Sequence, residues 1–228
     1  MSGFKKEELN SVFIFSLFNL VVEKLLLCSD MMKDDCLVEA NYIENHEEKI
    51  KSRLLENYLD NDEVRLKIGL DKVGLRFIPE VPESYKKTND SYIGRVDIKV
   101  VTENWFRLNR NDYYIIECKR IDGSAELNKK FVLNGVTRFV LDPVQYPSFN
   151  SKNIMFGFVV KEIDIESNTL KIDKIQNDNL SGIVEKGFYK INSRLNQYYR
   201  YSSKYIVSGC SLELQHLFYN FSTIIKIR

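Results

Sequence analysis

The chain predicts an α/β (α+β) domain, in which a central mixed sheet of four to five strands is flanked by helices, with a helical segment before it and a β-rich segment after it. Three observations in its 228 residues carry this expectation. Apolar side chains recur at helical spacing in residues 5–28 and again in residues 39–60. β-Branched and aromatic residues crowd into YIGRVDIKVV and DYYIIECKRI, as half-buried strands require. A helical stretch, residues 125–140, then leads into the apolar run NIMFGFVVK.

Taken in order, the first helix is expected over residues 5–28, with SDMMKDD (residues 29–35) as a polar break. Its apolar stretch, residues 11–27, is interrupted by Asn19, Glu23 and Lys24, so a buried core or dimer-contact helix is expected and no membrane span. The second helix is expected over residues 39–60, with Ile43, Ile50, Leu54 and Tyr58 as a narrow buried stripe. Glu47 lies four residues after Ile43 and three before Ile50, which puts a glutamate on the inward face. GLRFIPEVPESY (residues 74–85) reads as extended, and its two prolines assign it to a sheet edge or a strand end.

Residues 92–101 and 112–121 follow as strands, with ENWFRLNRN as their hairpin connection. Asp97 sits mid-strand on the first of them. On the second, Glu117 and Lys119 project from one face and Cys118 from the other. Asp122-Gly123 marks a turn before the helix at 125–140, whose weakest position is Gly135, and Asp142-Pro143 ends it. Residues 153–161 form a buried strand, and residues 162–175 a hairpin turning at Ser167-Asn168. SLELQHLFYN supplies a last strand and a short helix. No repeat or linker divides the chain, so one domain is expected: a helical extension (1–38), a core (39–161) and a C-terminal extension (162–228).

A net charge of +1 excludes a uniformly basic, histone-like binder. The charge is uneven, however. Residues 1–60 hold seven basic and twelve acidic side chains, whereas residues 185–228 hold seven basic and two acidic ones, which makes the C-terminal segment the better electrostatic candidate for nucleic acid. Cys28, Cys36, Cys118 and Cys210 form no CxxC pair, and only His46 and His216 could join them, so no zinc site is expected. A reduced, cytoplasmic chain is the corresponding expectation.

The chemistry concentrates on Asp97, Glu117 and Lys119. Two carboxylates at the same level of adjacent strands can hold a hard divalent cation, which takes oxygen ligands and keeps waters and a phosphate in its shell. Such a cation polarises a phosphodiester and lowers the pKa of bound water. The tripeptide (D/E)xK alone discriminates little, since Glu47-x-Lys49 and Asp97-x-Lys99 also match it. Only the copy at Glu117 has a β-rich strand, a preceding strand with its own carboxylate and a following amphipathic helix.

The order helix, strand, strand with Asp97, strand with Glu117-Cys118-Lys119, helix, strand over residues 40–161 resembles the core of the PD-(D/E)XK phosphodiesterase superfamily, the restriction-endonuclease-like fold. Val96 stands where that family often carries proline. The resemblance implies a Mg²⁺-dependent endonuclease, with Mn²⁺ able to substitute, acting on DNA in restriction or antiviral defence. It implies metal ligation by Asp97, Glu117 and the backbone carbonyl of Cys118, with Lys119 assisting water attack. It also implies a supporting carboxylate on the preceding helix, for which Glu47 is the best placed, with Glu44 and Glu48 as rivals. Arg138 and, in QYYRYSSKY, Arg200 and Lys204 are the expected nucleic-acid contacts. No helix-turn-helix or zinc finger is present as a sequence reader, so a homodimer or a larger defence complex is the expected setting. The alternatives are a nuclease for RNA or branched DNA, and a non-catalytic nucleic-acid-binding or assembly subunit with the same fold.

Overall fold

A seven-stranded mixed sheet forms the middle layer of the computed structural model, which describes residues 6–88, 90–102, 113–148, 151–191 and 198–226. Its strands are β1 (Leu75–Lys86), β2 (Ser91–Thr102), β3 (Tyr113–Ile121), β4 (Lys152–Val159), β5 (Val184–Lys190), β6 (Tyr198–Val207) and β7 (Cys210–Asn220), in the order β1-β2-β3-β4-β7-β6-β5. The pairs β1–β2, β2–β3, β5–β6 and β6–β7 are antiparallel, and β3–β4 and β4–β7 are parallel. The helices are α1 (Lys6–Val38), α2 (Glu47–Leu54), α3 (Asp62–Lys67), α4 (Leu70–Val73), α5 (Ala125–Phe131), α6 (Thr137–Val140) and α7 (Ile165–Asn179). A π-helical turn, Leu55–Leu59, extends α2, and a second, Val132–Val136, joins α5 to α6.

Period-two alternation along β3 sorts its side chains between two cores. Tyr114, Ile116 and Cys118 pack with Phe18, Val21 and Leu25 of α1 and Ile50 and Leu54 of α2. Ile115 and Ile121 pack instead with Phe131, Val136 and Phe139 of the α5–α6 segment and Ile172 of α7. Reciprocal amide hydrogen bonds between Asn128 and Asn168, at 2.8 and 3.0 Å, tie α5 to α7 within that second layer. Each fully buried aliphatic or aromatic side chain contributes about 1.5–3 kcal/mol, so sequestering both faces stabilises a sheet whose central strands are apolar almost throughout.

Several elements differ from the sequence expectation. Helix α1 runs ten residues beyond Cys28, through the supposed polar break, because Met32 and Cys36 continue its buried stripe and Ser29 Oγ donates to the Leu25 carbonyl. The acids of that break are used laterally: Tyr219 donates to Asp30, and Tyr58 to Asp35. The second helix starts at Glu47, not at residue 39. Ile43 is buried, but as a parallel bridge to Ile225 near the C terminus. Residues 165–179 form α7 where a hairpin was expected. Asp164 caps it by accepting from the Ser167 amide, and Ile165, Asn168, Thr169, Ile172 and Gln176 make a buried helical face. SLELQHLFYN is strand throughout and adds no helix. The sheet accordingly has seven strands in place of four to five, because β7 pairs with β4 and draws β5 and β6 into the same layer. The expected β2–β3 connection, residues 103–111, lies outside the described residues. Among the described residues, no helix is long and apolar enough to cross a membrane.

Candidate active site

A notch opens where β2 and β3 part. Their ladder pairs Val101 with Tyr113 and runs to Ile98 with Ile116, and there it stops. The next residues are Asp97 and Glu117. In place of a backbone partner, the Cys118 amide donates to Asp97 Oδ2 at 2.8 Å, so the carboxylate itself completes the ladder and is held between the strands. Cys118 packs into the α1–α2 core, while Glu117 and Lys119 turn to the α5–α6 layer, as period two requires.

Four groups from three chain segments, α2, β2 and β3, converge on the Lys119 ammonium. It lies 2.7 Å from Glu117 Oε1, 2.8 Å from the Cys118 carbonyl, 3.2 Å from Glu47 Oε1 and 4.0 Å from Asp97 Oδ2. Gly135, in the π-helical turn, lies over the Lys119 stem, and its lack of a side chain makes room for Met155. A Cβ there would lie 2.5 Å from Met155 Cε and 3.5 Å from Lys119 Cγ. Glu47 reaches the site from the first turn of α2, and its other oxygen accepts the Arg120 amide at 3.0 Å. Arg138 on α6 pairs with Glu117 Oε1 at 2.9 Å and also donates to the Tyr146 hydroxyl.

Glu117 is fully buried, and its second oxygen, Oε2, has no hydrogen-bond partner. Burial pushes this carboxyl up to about 7, and the neighbouring Asp97 charge adds to the rise, against the pull of Lys119 and Arg138. Burial draws the Lys119 ammonium down, but Glu117, Glu47 and Asp97 outweigh it and hold the group above its ordinary value. Lys119 is therefore a fixed cation at neutral pH.

A second lysine, which the sequence did not single out, occupies an adjoining nest. Lys51 on α2 is only 2% exposed and lies 2.8 Å from Glu48 Oε2 and 3.1 Å from Asp97 Oδ1, with Glu80 as its third partner. The register on either side, Pro79 with Ile98 and Val81 with Val96, puts Glu80 opposite Asp97. Glu80 has φ +55°, a left-handed conformation rare outside glycine and asparagine, which costs on the order of 1–3 kcal/mol. Its carboxyl is held below the usual range, chiefly by the hydrogen bond from Lys51. Glu48, Glu80 and Asp97 each offer an oxygen within 4.8 Å of the others, a spacing compatible with a shared cation.

The lysines of the rival tripeptides lead elsewhere. Lys49 pairs with Glu44 on an exposed surface, 2.6 Å apart, so neither approaches the notch. Lys99 pairs with Glu83 at 2.7 Å and lies over the Tyr113 ring. Of the helix carboxylates, Glu47 faces Lys119 and Glu48 faces Lys51. Arg138 belongs to the site as a partner of Glu117. Arg200 does not reach it. On β6, Arg200 donates to Gln215 and to Asn19 of α1, on the sheet face opposite Glu117, and Lys204 is part-exposed on the same strand. A signal for Lys51 existed: it follows Ile50 on the buried edge of an amphipathic helix. None existed for Glu80, which becomes a site residue only through the β1–β2 register and its positive φ.

The Glu47, Asp97 and Glu117 carboxylates and the Cys118 carbonyl thus surround the Lys119 ammonium, and Glu117 Oε2 is left without a partner; oxygen is the donor type that a hard divalent cation takes. No protein-family model, curated protein sequence or solved structure matches the chain.

Proposed function

We propose that the chain is a Mg²⁺-dependent phosphodiesterase with a restriction-endonuclease-like core, an endonuclease cleaving DNA, with a place in restriction or antiviral defence. The observation that carries this reading is the convergence on Lys119 of Glu117, the Cys118 carbonyl, Glu47 and Asp97 from α2, β2 and β3. Asp97, Glu117 and the Cys118 carbonyl would hold the metal, Mg²⁺ or Mn²⁺, which supplies Lewis-acid activation of the phosphate and of a bound water. Lys119, which the surrounding acids hold above its ordinary value, would orient the attacking water and stabilise charge on the phosphate. Glu47 fixes the approach of α2 by holding Lys119 and the Arg120 amide together. Arg138 keeps Glu117 aimed into the notch.

The test is incubation of purified protein with single- and double-stranded DNA and RNA, in Mg²⁺ or chelator, alongside Glu117→Gln and Lys119→Gln. Metal-dependent cleavage lost in both variants supports the assignment. Cleavage that survives both removes it, and cleavage of RNA alone moves the substrate to the alternative class.

A further inference from the structure

A second groove begins where the notch ends. A pocket of about 350 Å³ at the mouth of the notch shares Glu47 and Lys119 with it and is rimmed also by Lys130, Arg138 and Arg120. Arg120 also lines a larger groove of about 800 Å³, which carries Asn45, Lys161 and Lys226. One arginine thus forms the sill between the two spaces.

The larger groove is built by the end of the chain. The Ile43 amide donates to the Ile224 carbonyl at 2.8 Å, and the Lys226 amide donates to the Ile43 carbonyl at 2.7 Å. These bonds hold the C-terminal segment against the residues that enter α2, which brings Lys226 beside Asn45. Arg120 is fixed from the same side, since its Nη1 donates to the Asn45 carbonyl at 2.7 Å and to Asn45 Oδ1 at 2.8 Å. Its Nε is buried without a hydrogen-bond partner. Lys161 follows β4 on the other wall, where the Val160 amide donates to the Ile121 carbonyl at 2.9 Å. Lys161 and Lys226 are exposed, and among the described residues neither has a carboxylate within ion-pair distance.

Among the described residues, the groove holds three cations against one acid, Glu162, and no aromatic ring lines it. Such a wall suits phosphates, which position a strand without reading it, and offers no platform on which bases could stack. A groove of several hundred cubic ångströms encloses a ligand of drug-like size, which matches a few nucleotides of one strand; a duplex would lie over it. The C-terminal excess of basic residues falls in part on this wall.

We propose that this groove is the path of a single nucleic-acid strand leading to the notch, with Arg120, Lys161 and Lys226 as its backbone-phosphate contacts. The assignment of the strand as substrate rests on the phosphodiesterase reading above. Recognition here is independent of base sequence and strongly dependent on salt.

The experiment measures binding of fluorescently labelled single-stranded DNA in chelator, so that no cleavage is needed. The variants are the double substitution Lys161→Glu with Lys226→Glu, and a control of equal charge change, Lys171→Glu with Lys174→Glu, at exposed positions of α7. The groove variant is expected to bind at least tenfold more weakly, with a salt slope reduced by about 1.4, the value for two lost phosphate contacts on a single strand. The control is expected to bind as the unaltered chain does. Equal losses in both variants, or no loss in the groove variant, overturns the proposal. A chain that shows the expected pattern but cleaves no substrate keeps the groove and loses the nuclease reading. A chain that cleaves without the pattern loses the groove alone.

Discussion

The two ammonium nests share Asp97 but invert each other's burial. Around Lys119, the most deeply buried partner is an acid: Glu117 has no exposed side-chain surface and keeps an unpaired oxygen. Around Lys51, the most buried group is the base, while the side chains of Glu48 and Glu80 are 55% and 40% exposed. A buried, incompletely satisfied carboxylate costs stability unless a cation offsets it, whereas a buried ammonium ringed by wet carboxylates is already neutralised. The first arrangement leaves a buried acid oxygen open, and the second surrounds a buried base with three carboxylates. Asp97 couples them, giving Oδ2 to the Cys118 amide and Oδ1 to Lys51.

Under the phosphodiesterase proposal, the largest expected difference between the nests is in cleavage. Lys119→Gln is expected to reduce it by about 10²–10³, the usual cost of removing one positioned charge from a transition state. Lys51→Gln acts only through Asp97 and is expected to leave most of the cleavage rate. Equal losses, read as rates on one DNA substrate at saturating Mg²⁺, would make both lysines catalytic and erase the distinction.

Stability gives the next contrast. Glu117→Ala leaves Lys119 and Arg138 without their shared carboxylate in a buried setting and is expected to cost about 3–5 kcal/mol in denaturant unfolding. Glu48→Ala removes a solvent-screened partner of Lys51 and is expected to cost under about 1 kcal/mol.

A pH titration of stability sharpens the same point. Because Glu117 is raised from 4.5 to about 7, the native state retains its proton over that window while the unfolded chain has lost it. Stability contributed by this group therefore falls as pH rises from about 4.5 to about 7. His216 works the other way. Burial lowers it from 6.5 to about 3, so its contribution rises with pH between those values. The difference between the unaltered chain and Glu117→Gln cancels His216 and isolates the falling component. A flat difference profile would show that Glu117 is not held neutral by its surroundings.

The smallest effect is expected at the rival tripeptides. Lys49→Gln and Lys99→Gln should leave cleavage within about twofold, the scale of substitutions outside a site.

The contrast between the nests also explains what the sequence could disclose. Asp97, Glu117 and Lys119 were legible because two adjacent strands with strict alternation allow few arrangements, and the charges stand out against an apolar background. Glu47 was legible as an inward acid, although it acts from the first turn of a helix that starts eight residues later than expected. The Lys51 nest was hidden because it depends on register across β1 and β2 and on one left-handed residue, neither of which leaves a local pattern. Helix α7 was missed for a related reason. The alternation in EIDIES mimics a strand and masks the local cap, in which Asp164 accepts the Ser167 amide, while Asn168 and Gln176 on the buried face find their partners in the distant Asn128 and Tyr205. The joining of β5–β7 to the sheet follows from parallel pairing between β4 and β7, a contact between residues some sixty positions apart that no local window contains.

If the donors around Lys119 are a metal site, its ammonium competes with the cation for them. Calorimetric titration of Mn²⁺ into Lys119→Met and into the unaltered chain tests this directly. Unit charges 4 Å apart interact by about 4 kcal/mol at an effective dielectric of 20 and a divalent ion feels about twice that, so removing the Lys119 charge from the same donors is expected to tighten Mn²⁺ binding by at least tenfold. Unchanged or weaker binding in Lys119→Met would contradict a metal centre built on Asp97, Glu117 and the Cys118 carbonyl.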